Sequence, residues 1–287
     1  MSLKIIVLAK QVPDTRNVGK DAMKEDGTVN RAALPAIFNP EDLNALEQAL
    51  RLKDEHSGST VTLLTMGPPR AADIIREGLF RGADGGYLLT DRVFAGADTL
   101  ATSYALHMAI KKIGDFDLII SGRQAIDGDT AQVGPQVAEK LGISQITYAE
   151  EIQSVKNGKI TVKRRLEHGI EIAEGKLPIL VTVNGSAPAC RPRNALLIQK
   201  YKYSQTTSEQ QVGARRALPV HRALPLHEWN ASDVNADPVQ CGLSGSPTKV
   251  KKIENIVFQT KESKTFDDSD RQIEDLMIEL IANHTIG

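Results

Sequence analysis

The sequence predicts an α/β protein with a doubly wound, mostly parallel sheet and an extended C-terminal arm. Three observations carry this. Short apolar runs alternate with helical patterns from the N-terminus to residue 142, the pattern of strands joined by crossover helices. The first apolar run, residues 3–9, reads as a strand buried on both faces. The stretch Ser121 to Pro135 is small, turn-rich and set between an apolar run and a helical pattern. Such a loop is where open α/β sheets bind nucleotides, so the fold expected is Rossmann-like with a nucleotide or dinucleotide site at this loop.

The elements follow in order. After the strand at 3–9, residues 11–38 are mixed and polar, with Asp26-Gly27 as a turn signal. Asn39-Pro40 opens a helix, Glu41 to Glu55, with Leu43, Leu46, Ala49 and Leu50 on one side. Pro40 suits a first helical position and Asn39 a cap. Ser59 to Thr65 is a second strand, ended by Met66-Gly67-Pro68-Pro69, and a helix follows from Ala71 to Arg81. Gly82 to Gly86 reads as a turn, Tyr87 to Thr90 as a third strand, Asp98 to Ile113 as a helix and Phe116 to Ile120 as a fourth strand. Gln136 to Leu141 reads as a helix ended by Gly142. Further strands are expected at 145–148, 159–163 and 179–183, with Asn157-Gly158 as a hairpin signal.

Beyond residue 184 the pattern changes. Residues 186–236 show little periodicity, and Arg216 to His227 nearly repeats a hexapeptide. Proline every six residues excludes a regular helix there. Residues 270–282 regain helical spacing through Ile273, Leu276, Met277, Leu280 and Ile281. The expected divisions are a nucleotide-binding unit at 1–185, a proline-bearing basic stretch at 186–204 and a C-terminal segment at 205–287. The last is expected to include an arm that packs on another protein; a loosely attached terminus is the competing reading.

Composition narrows the function. A net charge of −1 does not point to bulk attraction to nucleic acid or a membrane surface. Aromatics at 4% argue against a stacking platform for single-stranded nucleic acid. Cys190 and Cys241 form no CxxC motif, which fits a reducing cytoplasm. The N-terminal apolar run is too short for a membrane span. The six histidines are scattered without metal spacing, so no metal is expected. Cys190 lies near Arg191 and Arg193, where a reactive thiol is conceivable, but a plain loop cysteine is the preferred reading.

The 121–135 loop carries the chemistry. There is no GxGxxG and no GxxxxGK[ST], which disfavours an ordinary dinucleotide loop or a P-loop. Gly122, Gly128 and Gly134 permit close backbone approach. Thr130 and Gln132 supply side-chain hydrogen bonds, and Arg123 offsets phosphate charge. Asp127 and Asp129 repel phosphate, so they are expected to accept backbone N–H bonds in the loop or to contact a ribose. A purely structural turn is the competing reading. The loops after the other strands, at Met66-Gly67 and at 90–99, and the helix start at Asn39-Pro40 are expected to converge on the same crevice. No acid–base dyad or nucleophilic triad is legible, and no catalytic residue is assigned.

Together these segments resemble the β subunit of electron-transfer flavoproteins. The resemblance rests on Ala9-Lys10-Gln11-Val12-Pro13-Asp14, Asn39-Pro40-Glu41-Asp42, Met66-Gly67-Pro68-Pro69, Gly82-Ala83-Asp84 and Gly122 to Gly134, in the family's order. It implies a heterodimer with an FAD-carrying α subunit. It also implies an adenine nucleotide held by Leu8, Ala9, Lys10, Asn39, Asp42, Met66, Gly67, Phe94, Ala95, Gly96, Ala97, Thr99, Gly122, Arg123, Gln124, Asp127, Gly128, Asp129, Thr130, Ala131, Gln132, Val133 and Gly134. The stretches at 91–99 and 127–135 resemble the electron-bifurcating branch, in which the β site holds a second FAD. Small Ala95, Gly96 and Ala97 would leave room for that larger group. The resemblance then implies NADH as donor, ferredoxin or flavodoxin as one acceptor, and an acyl-CoA dehydrogenase or enoyl-CoA reductase as the other. The ordinary branch holds structural AMP in the same crevice and is the alternative. The resemblance makes 186–204 a partner-recognition loop, with Arg193 and Leu196 as the partner-docking residues implied and Leu196 as apolar anchor. Gly242 to Thr248 resembles the start of the arm. The repeat at 216–227 has no functional account.

Overall fold

A computed structural model describes residues 1–14, 35–212, 226–248, 263–283 and 285–286. The expected turn at Asp26-Gly27 and all of the hexapeptide repeat but Leu226 and His227 lie outside these residues.

The chain begins with β1 (Lys4–Leu8), then a small antiparallel pair, β2 (Gln11–Pro13) and β3 (Ala36–Phe38). Next come α1 (Pro40–Glu55), β4 (Thr60–Met66), α2 (Ala72–Arg81), β5 (Gly85–Leu89), α3 (Thr99–Ile113), β6 (Leu118–Gly122) and α4 (Val133–Leu141). The second half contains β7 (Ser144–Lys156), β8 (Lys159–Leu166), β9 (Gly169–Lys176), β10 (Ile179–Val183), α5 (Ala195–Tyr201), α6 (Thr207–Val212), β11 (Leu226–Trp229) and α7 (Asp270–Ala282).

One nine-stranded sheet runs β11-β5-β4-β1-β6-β10-β7-β8-β9. All neighbours from β11 to β7 pair in parallel; β7, β8 and β9 form an antiparallel meander. The central parallel strands β1, β6 and β10 are covered on both faces, which is why they read as apolar runs. Ile5 and Val7 of β1 pack with α1 and α2 in one core, while Ile6 and Leu8 pack with α3 and α4 in the other. This is the doubly wound arrangement that the sequence predicts.

The departures are local and have physical causes. The glycines before Tyr87 belong to β5 rather than to a turn, because a Cβ at Gly86 would lie 2.5 Å from Ile75 of α2. β6 begins two residues later than expected and takes in Ser121 and Gly122. The helix after it starts at Val133, and Pro135 fits inside its first turn, where a backbone N–H has no intrahelical acceptor anyway. β7 runs on to Lys156 because its central carboxylate, Glu150, is held by Lys163 and Arg165 at 2.9 and 2.8 Å. β9 carries only the short alternation Ile170-Glu171-Ile172, whose isoleucines stay exposed because it is an edge strand open along most of its length. Asn157-Gly158 makes the expected hairpin, with φ of 53° and 73°, the conformation of a type I′ turn.

The chain divides into two compact units, Met1–Lys251 and Lys252–Gly287. The first therefore extends well past residue 185. In the second, α7 buries none of its residues and exposes Ile273, Met277 and Ile281. Among the described residues no helix is long and apolar enough to cross a membrane.

Candidate functional site

β1 is followed in the sheet by β4 and β5 on one side and by β6 and β10 on the other. The chain order reverses between β1 and β6, and a crevice opens outside the carboxyl ends of strands at such a switch point. The structure brings the expected residues to that end of the sheet: Ala9 and Lys10 after β1, Met66 and Gly67 at the end of β4, 90–98 after β5, and 123–132 after β6.

Asp42, in the first turn of α1, joins the two central strands. Its carboxylate accepts the Lys10 N–H at 2.8 Å and the Gly122 N–H at 2.9 Å. Burial pushes this carboxyl up to about 7, against hydrogen bonds from Lys10, Asn39 and Gly122 and the charge of Lys10. Asn39 precedes the helix but does not cap it. Its side chain donates to Gln124 O at 2.9 Å and accepts from Ile126 N at 3.2 Å. Glu41 accepts from Gln124 N at 2.9 Å and from Arg123 Nη2 at 3.2 Å. The start of α1 is thus the mount for the whole 122–126 segment. Glu41 has no place among the residues expected from the sequence, although an acidic residue beside Asn39-Pro40 was a signal to be read.

The charged loop residues pair within the protein. Lys10 Nζ lies 2.7 Å from Asp127 Oδ1, and Asp129 Oδ1 accepts from Gln124 Nε2 at 2.9 Å. Among the described residues neither aspartate accepts a backbone N–H bond, the first of the two roles expected of it. Arg123 packs over the Tyr148 ring at 5.5 Å besides pairing with Glu41. Lys10 and Arg123 are therefore each offset by a carboxylate of the protein, which puts weight on backbone donors for any anion held here. Those donors exist. No side chain caps α4, which leaves N–H groups of its first turn open at the crevice, the arrangement that favours phosphate. By contrast α3 is capped, its Asp98 accepting from Ala101 N at 3.0 Å. Thr99 Oγ1 donates to Gln132 Oε1 at 2.9 Å and accepts from Gln136 Nε2 at 3.3 Å, tying the two helix starts together.

Three buried polar atoms around this loop have no partner: Ser121 Oγ, Gln136 Oε1 and Arg123 Nε. Buried polar atoms are normally satisfied, and a polar ligand in the crevice would satisfy such groups. Sequence reasoning did not single out Ser121 or Gln136. Gly128, Asp129, Thr130 and Gln132 are exposed on the rim. Asp129 and Ala131 adopt φ of 50° and 53°, a left-handed backbone uncommon outside glycine.

Other expected residues serve the protein's own packing. Leu8 and Phe94 are buried in the second core. A Cβ at Gly122 would lie 2.4 Å from Asp42 Oδ1, and one at Gly134 would lie 2.7 Å from Thr182 Cγ2. These glycines admit neighbouring chain, whereas Gly128 faces open space. The space over Gly96 is taken by Leu243, whose N–H donates to Ala95 O at 3.2 Å. Ser246 Oγ accepts from Asp98 N at 2.8 Å, so the segment at 242–248 packs against the 91–98 loop. It leaves a cavity of about 410 Å³ beside Leu100, Tyr104 and Lys140.

Arg193 and Leu196 lie elsewhere, on the 186–201 stretch. Leu196 is 75% exposed at the start of α5. Burial pushes the nearby Cys190 thiol up to about 11, which disfavours the thiolate.

The chain was compared with known proteins. Residues 26–207 match the electron transfer flavoprotein domain. An electron transfer flavoprotein subunit beta from Megasphaera elsdenii is 47% identical over 257 residues, covering 88% of this chain and 87% of the relative. The caffeyl-CoA reductase-Etf complex subunit CarD of Acetobacterium woodii is 42% identical over 248 residues, 86% of each. Protein FixA of Sinorhizobium fredii is 39% identical over 288 residues, covering 98% of this chain and 93% of the relative.

Proposed function

Because the chain belongs to the electron transfer flavoprotein family, among its β subunits, we propose that it works with an FAD-carrying α subunit and holds an FAD of its own in the crevice between β1 and β6. The observation that carries this is the convergence at the switch point: an uncapped helix start, partnerless Ser121 Oγ and Gln136 Oε1, and cations already offset by Asp127 and Glu41. That is a site for a ligand gripped by backbone N–H groups, and the residues present fit a nucleotide pyrophosphate.

In this reading α4 and the 127–132 rim hold the phosphates. Asp42, Asn39 and Glu41 fix the loop, and Thr99 with Gln132 and Gln136 sets the spacing of the two helix starts. A bound flavin would supply hydride acceptance and one-electron transfer. The protein's own work is binding, orientation and exclusion of water. Electron transfer needs no acid–base dyad. We assign the complex to flavin-based electron bifurcation. NADH is its donor, ferredoxin or flavodoxin one acceptor, and an acyl-CoA dehydrogenase or enoyl-CoA reductase the other. The name of the Acetobacterium relative, a subunit of a reductase complex, supports that class of partner. Residues 186–204, with Arg193 and Leu196 exposed, dock it; the C-terminal arm packs on the α subunit.

The alternative is an ordinary carrier with AMP in the crevice. Leu243 over Gly96 favours it, because that space is not free for a larger ring system. Acid extraction and chromatography of the purified αβ complex separates the two. Two FAD per dimer and no AMP is the expected result; one FAD with one AMP would establish the ordinary carrier.

A further inference from the structure

The stretch before α5 is fastened to the protein by buried polar groups that the crevice does not use. Asn44 Nδ2 donates to Ala187 O at 2.7 Å and to Pro188 O at 2.9 Å. Glu47, 8% exposed, grips Arg191 through a fork, Nε to Oε2 and Nη2 to Oε1, both at 3.0 Å. The Arg191 backbone N–H adds a third bond to Glu47 at 2.9 Å, and Asp54 accepts from Arg191 Nη1 at 2.8 Å. Arg81 of α2 donates to Arg191 O, and Asn194 N donates to Phe80 O at 2.8 Å. Asn194 then caps α5, accepting from Leu196 N and Leu197 N at 2.9 and 3.2 Å.

A buried carboxylate is costly unless paired and hydrogen-bonded, and Glu47 spends its pairing on one residue. That residue lies two positions before Arg193 and five before Leu196. Both of those are exposed, so their direction is that of the backbone carrying them, which the Glu47 fork fastens at Arg191 together with the Arg81 and Phe80 bonds. We propose that Glu47 is a positioning residue for partner docking: by clamping Arg191 it holds α5 in one orientation, so that Leu196 meets the partner without an ordering cost. The inference rests on the reading that residues 186–204 dock the partner. It adds that docking is controlled from α1, the helix whose first turn carries the crevice loop.

The test uses the αβ holocomplex, photochemically reduced and mixed with a purified flavoprotein acyl-CoA dehydrogenase from the same organism. The rate is followed against dehydrogenase concentration, with a small dye acceptor as control. Glu47→Gln removes the charge; Arg191→Lys keeps charge but loses the fork. Each should raise the half-saturating dehydrogenase concentration about 10-fold, as expected for a side chain set that must be ordered on binding. The limiting rate and the dye rate should stay within about twofold. Leu196→Glu should slow transfer to the dehydrogenase alone. If Leu196→Glu slows transfer while the other two match the wild type, the inference is wrong and the docking segment stands. If Leu196→Glu has no effect, the docking segment itself is wrong. Parallel loss of dye and dehydrogenase rates in both Glu47→Gln and Arg191→Lys would also overturn it, since the pair would then support the fold at large.

Discussion

Asp42 places a single carboxylate at the ends of both central strands. Its two oxygens are each committed to a backbone N–H, on Lys10 and on Gly122. A carboxamide of the same shape offers one acceptor, and its NH2 group would face the remaining donor. Asp42→Asn should therefore cost about 1–3 kcal/mol in denaturant unfolding at about pH 8, above the raised value of about 7 where the carboxyl is ionised, and weaken nucleotide retention. The same residue has a pH signature. Burial first of all raises its carboxyl from 3.8 to about 7, so the folded protein keeps a proton that the unfolded chain releases between those values. Its contribution is full below 3.8 and is lost as pH rises toward about 7. Stability measured across that window should fall in the wild type, and the Asp42 part of the slope should vanish in Asp42→Asn. An unchanged slope would show that another group is responsible. Glycines give a second contrast. Gly122→Ala places a methyl 2.4 Å from Asp42 Oδ1 and should destabilise by about 1–3 kcal/mol. Gly128→Ala meets nothing within 4 Å and should leave the melting temperature alone.

At the scale of elements, the loop between β6 and α4 works through its backbone. Arg123 and Asp127 of this loop are offset by Glu41 and Lys10, Asp129 accepts from Gln124, and the helix start beyond it is left without a side-chain cap. Thr130 sits exposed on the rim beside the left-handed residues Asp129 and Ala131. Thr130→Leu should weaken nucleotide retention in the β site roughly 10-fold, about 1.4 kcal/mol, and spare the α-subunit flavin. Quantifying both nucleotides after gel filtration checks this; equal losses from both sites would remove the loop from the crevice. Legibility varies element by element for clear reasons. α1 and α3 are readable because Asn39-Pro40 and Asp98 mark their starts and their apolar faces meet a core. The full length of β7 and all of β9 are hidden because charged residues interrupt the apolar period of β7 and the Ile170-Glu171-Ile172 alternation of β9 is too short to mark a strand.

The whole molecule is a doubly wound first unit followed by a second unit, 252–287, whose helix buries nothing of its own. Truncation after Lys251 should change the unfolding free energy of the first unit by less than about 1 kcal/mol, while capture of the α subunit weakens. Failure of the truncated chain to fold would overturn that division. The local signals in the sequence determined the strand–helix alternation, the parallel sheet, the family and the loops that gather at its carboxyl edge. Those depend on periodicity, caps and turn residues, which act between near neighbours. Tertiary structure alone decided what the site residues do. It turned Arg123 toward Glu41, paired Lys10 with Asp127 across 117 positions, set Leu243 over Gly96, and locked Arg191 to Glu47 across 144. Each of those depends on which distant side chain arrives within hydrogen-bond or van der Waals reach. That choice follows from the crossing of helices over the sheet and leaves no trace in the spacing of residues along the chain.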